Sequence, residues 1–301
     1  MLDALRNCRE GANLVNFSSL HGMVYDYVIG AVLVFIMISN TLVLFGLYRT
    51  NQLDRFTNRL FFVMSINDLI GGAGAIIVFF VNVNIPNENE CKILGLIEGS
   101  VFIFFATASG VNTTILAFDR LVYIRHTLKY SRLFSTKRSV IFTLIAVYGF
   151  STLWTLLEFF CNRIFLLVAG TLEVVHLTIF AVINIQLLRY IRKQGHLIRR
   201  LSKNFIRTTL YQTRATKTVL LVTFVCLLTN LPICAYAIYM YVSHTWYPNT
   251  TNWTYLVYIF YWSLLIQLSN SGLNALIFIS RNKALVTLYS IKRQETSVNG
   301  E

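Results

Sequence analysis

Among the ionisable side chains inside otherwise apolar runs of this sequence are Asp68, Glu98, Asp119, Arg120, Glu158, Glu173 and His176. In hydrocarbon a charge must be paired, neutralised by a proton or turned towards a polar interior, so each of these positions is a candidate for function. Asp119 and Arg120 are neighbours, about 100° apart around a helix, and can pair at the inner membrane edge while the arginine snorkels towards the cytoplasm. Asp68 has no base within eight residues of it and needs a hydrogen bond, a proton or a cation. Glu98, Glu158 and Glu173 likewise have no Lys or Arg within ten residues on their own runs, and a cationic ligand would supply a partner. No nucleophile paired with a base and no metal-ligand spacing emerges, so neither an enzyme nor a required cofactor is expected.

The elements that must position these groups follow from composition. Of 301 residues, 55% are hydrophobic and 13% charged, against roughly 45 to 50% and about 25% in soluble domains. The apolar residues fall in seven runs: Val24 to Tyr48, Asn58 to Val83, Ile93 to Ile124, Ser139 to Phe160, Ile164 to Ile191, Ala215 to Val242 and Tyr255 to Ser280. Each is long enough to cross a hydrocarbon core of about 30 Å as helix. The expected fold is an all-α membrane protein, a bundle of seven transmembrane helices. Three regions follow: an extracellular N-terminal segment over 1–23 that does not read as a signal peptide, the spans over 24–280, and an amphipathic helix with a short cytoplasmic tail over 281–301. In that last region Leu285, Leu288 and Tyr289 share one face, as in a helix lying on a membrane surface.

With the N-terminus outside, all but Arg6, Arg9, Lys92 and Arg163 of the 26 Lys and Arg fall in inward segments, as the positive-inside rule requires. The sequons at Asn16, Asn249 and Asn252 then lie outside, open to glycosylation, whereas the sequon at Asn112 sits within a span. The net charge of +13 is spread over four membrane-proximal segments and carries no nucleic-acid motif, so the bilayer and its anionic lipids are the expected partner.

Five motifs occur in order on the appropriate spans: Asn40; Asp68 within Ser65-Ile66-Asn67-Asp68-Leu69; Asp119-Arg120-Leu121; Pro232; and Asn274-Ala275-Leu276-Ile277-Phe278. The chain thereby resembles the rhodopsin-like (class A) G-protein-coupled receptors, as a divergent member, from about Val24 to Ile291. It departs from the family at Leu121 and at Ala275 and Phe278, which replace a proline and a tyrosine. It departs again at Thr229-Asn230-Leu231-Pro232, which keeps the proline without the tryptophan. Span five has no proline, and span six has Gln212, Thr216 and Lys217 at its inner end instead of an acid.

The resemblance implies a plasma-membrane receptor whose extracellular ligand shifts the bundle towards a state that activates a heterotrimeric G protein. Asp119, Arg120, Pro232, Asn274 and Phe278 would form the coupling and switch positions, with Arg120 receiving the G protein. The missing acid on span six implies a looser hold on that arginine. Asp68, Ser109, Asn270, Ser271 and Asn274, with Asn40 nearby, align with the family's sodium pocket, so a bound sodium ion is the one cofactor implied; the alternative is a hydrogen-bonded core with Asp68 neutral. Ser109 precedes Arg120 by 11 residues, roughly 16 Å of helix, which places it near the depth of Asp68.

Ligands of this family enter from outside, which implies a pocket lined by Glu98, Phe102, Phe105, Glu173, Tyr236, Tyr239, Tyr258 and Trp262. Phe102 stands where the family's amine receptors carry an aspartate, so a cationic molecule, a basic peptide and a neutral or lipid-like ligand all stay open. The family's outer disulfide implies Cys91 with Cys161, and Cys8 competes as a partner. Two other functions are weighed: a membrane protein of this fold that binds without signalling, which the altered motifs favour, and a transporter or channel, disfavoured by the absence of an inverted repeat.

Overall fold

The computed structural model describes residues 20–84, 88–126, 130, 137–160, 162–198, 203–246 and 253–298. Among these the chain forms α1 (Leu20–Arg49), α2 (Phe56–Asn84), α3 (Glu88–Arg125), α4 (Lys137–Phe160), α5 (Asn162–Ile198), α6 (Lys203–Trp246), α7 (Trp253–Arg281) and α8 (Lys283–Val298). Helices α1 to α7 are each long and apolar enough to cross a membrane, and each contains one of the seven apolar runs. A helix satisfies its own backbone, as hydrocarbon demands. Thr41, Thr152 and Thr178, all on the outer surface, likewise donate their hydroxyls back to the carbonyls of Met37, Tyr148 and Val174 at 2.7, 2.8 and 2.7 Å.

Helix α3 runs through the middle, packed against α2, α4, α5 and α6, while α7 closes the ring against α1 and α6. The polarity is inverted relative to a soluble bundle. Phe142 and Leu153 of α4 are 74% and 69% exposed, facing outward, whereas Asn40, Asn67, Asp68, Asn112 and Asn274 are buried. Large apolar side chains meet lipid at little cost, and the polar ones gather where other helices can bond them.

At the inner end, Asn51 turns the chain from α1 to α2 with φ of 48°, a left-handed conformation that asparagine tolerates. Asn282 accepts a bond from the Ala284 amide at 3.2 Å, capping α8, and donates to Gln52 at 2.8 Å. Helix α8 then lies along α1: Leu285 is fully buried, and Tyr289 donates to the Leu42 carbonyl at 2.5 Å. Gly46 makes this approach feasible, since a Cβ there would come within 2.4 Å of Leu285. Burial holds the Tyr289 phenol above its ordinary pKa.

Candidate functional site

The inner ends of α2 and α3 build a closed polar latch. Arg120 is buried, and its guanidinium reaches Asp119 at 2.7 to 2.8 Å. It also donates to the Thr57 hydroxyl, which in turn donates to Asp119 at 2.9 Å. Tyr130, in the segment between α3 and α4, donates to the other carboxylate oxygen of Asp119. Its ring meets Tyr123 edge-on at 5.0 Å, and the Arg120 guanidinium lies 5.2 Å from the centre of that same Tyr123 ring. Burial first, and then the Asp119 charge, raise the Tyr130 phenol, so it remains a donor well past the ordinary tyrosine range.

Sequence reasoning expects Arg120 to pair with Asp119 and to reach towards the cytoplasm; the pair is present, and the side chain is buried at the inner end beside Thr57 and Tyr123. Asp119 and Thr57 together offer the guanidinium charge and an acceptor, which offset the loss of water. The hold that α6 lacks is supplied by α2 and by the segment after α3. Thr57 and Tyr130 are not legible as partners from spacing alone: Thr57 is 62 residues from Asp119, and both are common residue types.

Halfway through the bundle lies a second polar centre. Ser271 donates to Asp68 at 3.0 Å, and Asn40 donates to the Ser271 carbonyl at 3.3 Å. The Ser109 and Asn67 side chains also lie beside the Asp68 carboxylate, and Asn67 donates to the Phe105 carbonyl at 3.3 Å. Asn40 Oδ1, Asp68 Oδ2, Ser109 Oγ, Asn270 Oδ1 and Asn274 Oδ1 are buried without a protein hydrogen-bond partner. Ser109 and Ser271 adjoin the Asp68 carboxylate and Asn40 is tied to Ser271; buried oxygens of this kind, supplied by α1, α2, α3 and α7, are the donor type a hard cation takes. The residues present therefore fit a sodium ion.

Above this level, Pro232 interrupts the hydrogen-bond ladder of α6. Two residues earlier Asn230 donates to the Cys226 carbonyl at 2.7 Å and accepts from Gln267 of α7 at 2.8 Å. Further polar clips join Thr114 to His176 at 2.8 Å, Thr223 to Asn184 at 2.6 Å and Arg125 to Gln186 at 2.6 Å. Phe278 stacks on Phe61 with ring centres 4.1 Å apart, filling with an apolar contact the place where the family carries a phenol.

Towards the outer side Tyr236 is buried against Phe260 at 5.4 Å. Trp262 and Tyr261 both pack edge-on against Tyr25 of α1, at 5.8 and 5.4 Å. Phe102, Phe105 and Tyr258 are half-buried, and Tyr239 is exposed. Phe105 packs beside Gly71 of α2, where a Cβ would meet its ring at 3.0 Å. Cys8, Asn16, Cys161, Asn249 and Asn252 lie outside the described residues, and Cys91, Glu98, Glu158 and Glu173 are placed by helix backbone alone. Asn112 is buried and donates to the Leu60 carbonyl at 3.2 Å, out of reach of glycosylation. Cys226 and Cys234 are buried.

The family described as 7 transmembrane receptor (rhodopsin family) matches residues 39–165, from within α1 to the start of α5. No curated protein matches the chain.

Proposed function

Across residues 39–165 the chain is of the rhodopsin family of seven-transmembrane receptors, and from that premise we propose a cell-surface receptor that activates a heterotrimeric G protein when an extracellular ligand binds. The observation that supports this reading best is the Arg120 latch: a buried cation at the inner end of the central helix, bonded to its neighbour Asp119 and to Thr57 of α2, with Tyr130 holding Asp119 in turn. A cation stored in this way becomes a docking group once its partners move. An extracellular ligand need only prefer the bundle conformation in which they have moved. The chain would sit in the plasma membrane with its N-terminus outside and its C-terminus in the cytoplasm, where α8 rests on the inner leaflet.

The Asp68 centre serves this reading as a cation site. A sodium ion there would supply charge neutralisation between α2 and α7, while Asp68, Ser109, Asn270, Ser271 and Asn274 hold it. Its residence would favour the conformation that keeps these oxygens together. Thermal melting of the purified protein in sodium and in choline chloride tests this without any ligand. Sodium should raise the melting temperature of the wild type and leave Asp68→Ala unchanged; equal response in both proteins would remove the site.

G-protein nucleotide exchange in membranes bearing wild type or Arg120→Ala, across a panel of ligands, tests the receptor reading. Exchange should appear with the wild type and vanish with the variant. A second reading, a receptor fold that binds without signalling, is favoured by Ala275, Phe278 and Asn230, which replace the family's switch residues. It would show as saturable ligand binding with no exchange by any G protein.

A further inference from the structure

The polar side chains of α7 form one stripe. Ser263, Gln267, Asn270, Ser271 and Asn274 recur at a spacing that keeps them within about 100° of arc over about 16 Å of helix. The stripe is turned into the bundle: Ser263, Asn270 and Asn274 are buried, and Gln267 and Ser271 are half-buried. Its inner half belongs to the Asp68 centre, where Ser271 bonds the carboxylate. There Asn270 Oδ1 and both polar atoms of the Asn274 amide are buried without a protein partner. One turn further out, Gln267 donates to Asn230 of α6 at 2.8 Å, and Asn230 donates in turn to the Cys226 carbonyl. The Gln267 Oε1 takes no bond among the described residues.

Three other sides of the Asp68 centre are closed by aromatic rings. One turn outward of Asp68, Gly71 receives Phe105, where a Cβ would meet that side chain at 3.0 Å, and Phe104 backs the same ring edge-on at 5.1 Å. On the side of α1, the Phe35 ring lies so close to Gly272 that a Cβ there would collide with it. Inward of Asn274, Phe61 and Phe278 stack with ring centres 4.1 Å apart. A hard cation does not cross such contacts, because each water it sheds must be replaced by another oxygen. The α7 stripe offers oxygens in succession, and one interhelical amide bond bars its outer part. Bonds of that kind contribute little net free energy in membranes, so thermal motion opens them. Resting on the cation site argued above, we propose that Asn230 and Gln267 are its gate: cation exchange between the outer side and Asp68 runs along the α7 stripe and requires this amide pair to part. The freed Gln267 carboxamide then lends its oxygen in place of a shed water. Asn230 replaces one of the family's switch residues, so the gate belongs to this chain and not to the fold.

The test pairs two measurements on the purified full-length protein in nanodiscs: melting in sodium against choline chloride, and the sodium exchange rate from excess sodium NMR relaxation across temperature. Wild type should show both a sodium-dependent rise in melting temperature and excess relaxation, and Asp68→Ala should show neither. Asn230→Leu/Gln267→Leu should keep the rise in melting temperature and slow exchange by about tenfold or more, as the loss of oxygens along a dry path implies. Gln267→Met, which keeps the length of the side chain and removes its oxygen, should slow exchange severalfold without disturbing the fold. Phe105→Ala added to the leucine pair should restore part of the rate by opening a sealed side. Unchanged exchange in the leucine pair and in Gln267→Met, with sodium stabilisation intact, would overturn the gate and leave the cation site standing. A sodium response that survives Asp68→Ala would remove the site and the gate with it. Loss of the sodium-dependent rise in Gln267→Met would make the glutamine a ligand of the ion and would likewise overturn the proposal.

Discussion

Thr57 is the smallest member of the inner latch and the one through which its charges communicate, since its single hydroxyl accepts from Arg120 and donates to Asp119. A hydrogen bond to a charged group contributes about 1.5 to 3 kcal/mol, and a tenfold population change needs only about 1.4 kcal/mol. Thr57→Val keeps the shape and removes both bonds, so it should raise ligand-free nucleotide exchange by roughly tenfold. Tyr130→Phe removes one bond to Asp119 and should raise it less. The raised Tyr130 phenol sets a pH dependence: its contribution to stability is fully present below the ordinary tyrosine value and is lost as pH rises through its higher folded value. Melting temperatures measured from pH 8 upward should therefore fall more steeply for the wild type than for Tyr130→Phe once the phenol ionises. Asp119, Arg120 and Asp68 were legible because a charge within an apolar run must have a partner. Thr57, Tyr130 and Gln267 were not, because uncharged polar residues are tolerated wherever an i−4 carbonyl is available, and only the packing of distant helices shows which of them bridge.

Among the helices, two joints carry specific expectations. Gly46 is a notch for Leu285, and a side chain there must displace α8. Gly46→Val should lower stability by about 1 to 3 kcal/mol, as overpacked contacts do, and should speed hydrogen exchange in α8. Leu285→Ala in the same chain should restore part of the loss, and a simple sum of the two effects would show that they do not meet. The second joint is the Asn230–Gln267 pair beside Pro232. A double-mutant cycle with Asn230→Leu and Gln267→Leu should give a coupling of about 0.6 to 1.7 kcal/mol, the range found for interhelical bonds in membranes. Spans and their order could be read from hydropathy because length and apolarity alone decide a crossing. Helix–helix joints could not, because a glycine or an amide carries no mark of what lies opposite it. The sequence placed Leu285 and Tyr289 on one face of α8, but their seat on Gly46 and the Leu42 carbonyl is a property of the fold.

The whole molecule joins a polar interior, an apolar exterior and a latch at one end. Thr57 of α2 is bonded to both Asp119 and Arg120 of α3, so a shift of α3 against α2 breaks both bonds together and makes a two-state element. The outer half contributes aromatic surface without a fixed charge among its described side chains. If the latch stores the coupling cation, opening it must raise nucleotide exchange even when no ligand is known. Basal nucleotide exchange should be measured with purified Gi, Gs, Gq and G12 on nanodiscs carrying wild type, Thr57→Val/Tyr130→Phe, and the same pair with Arg120→Ala, all matched for folded protein by melting. The account predicts low exchange for the wild type, a rise of about tenfold or more for the latch-opened pair with at least one G protein, and a return to background when Arg120 is removed. Exchange that stays at background in the latch-opened protein with every G protein, or that persists without Arg120, would contradict it.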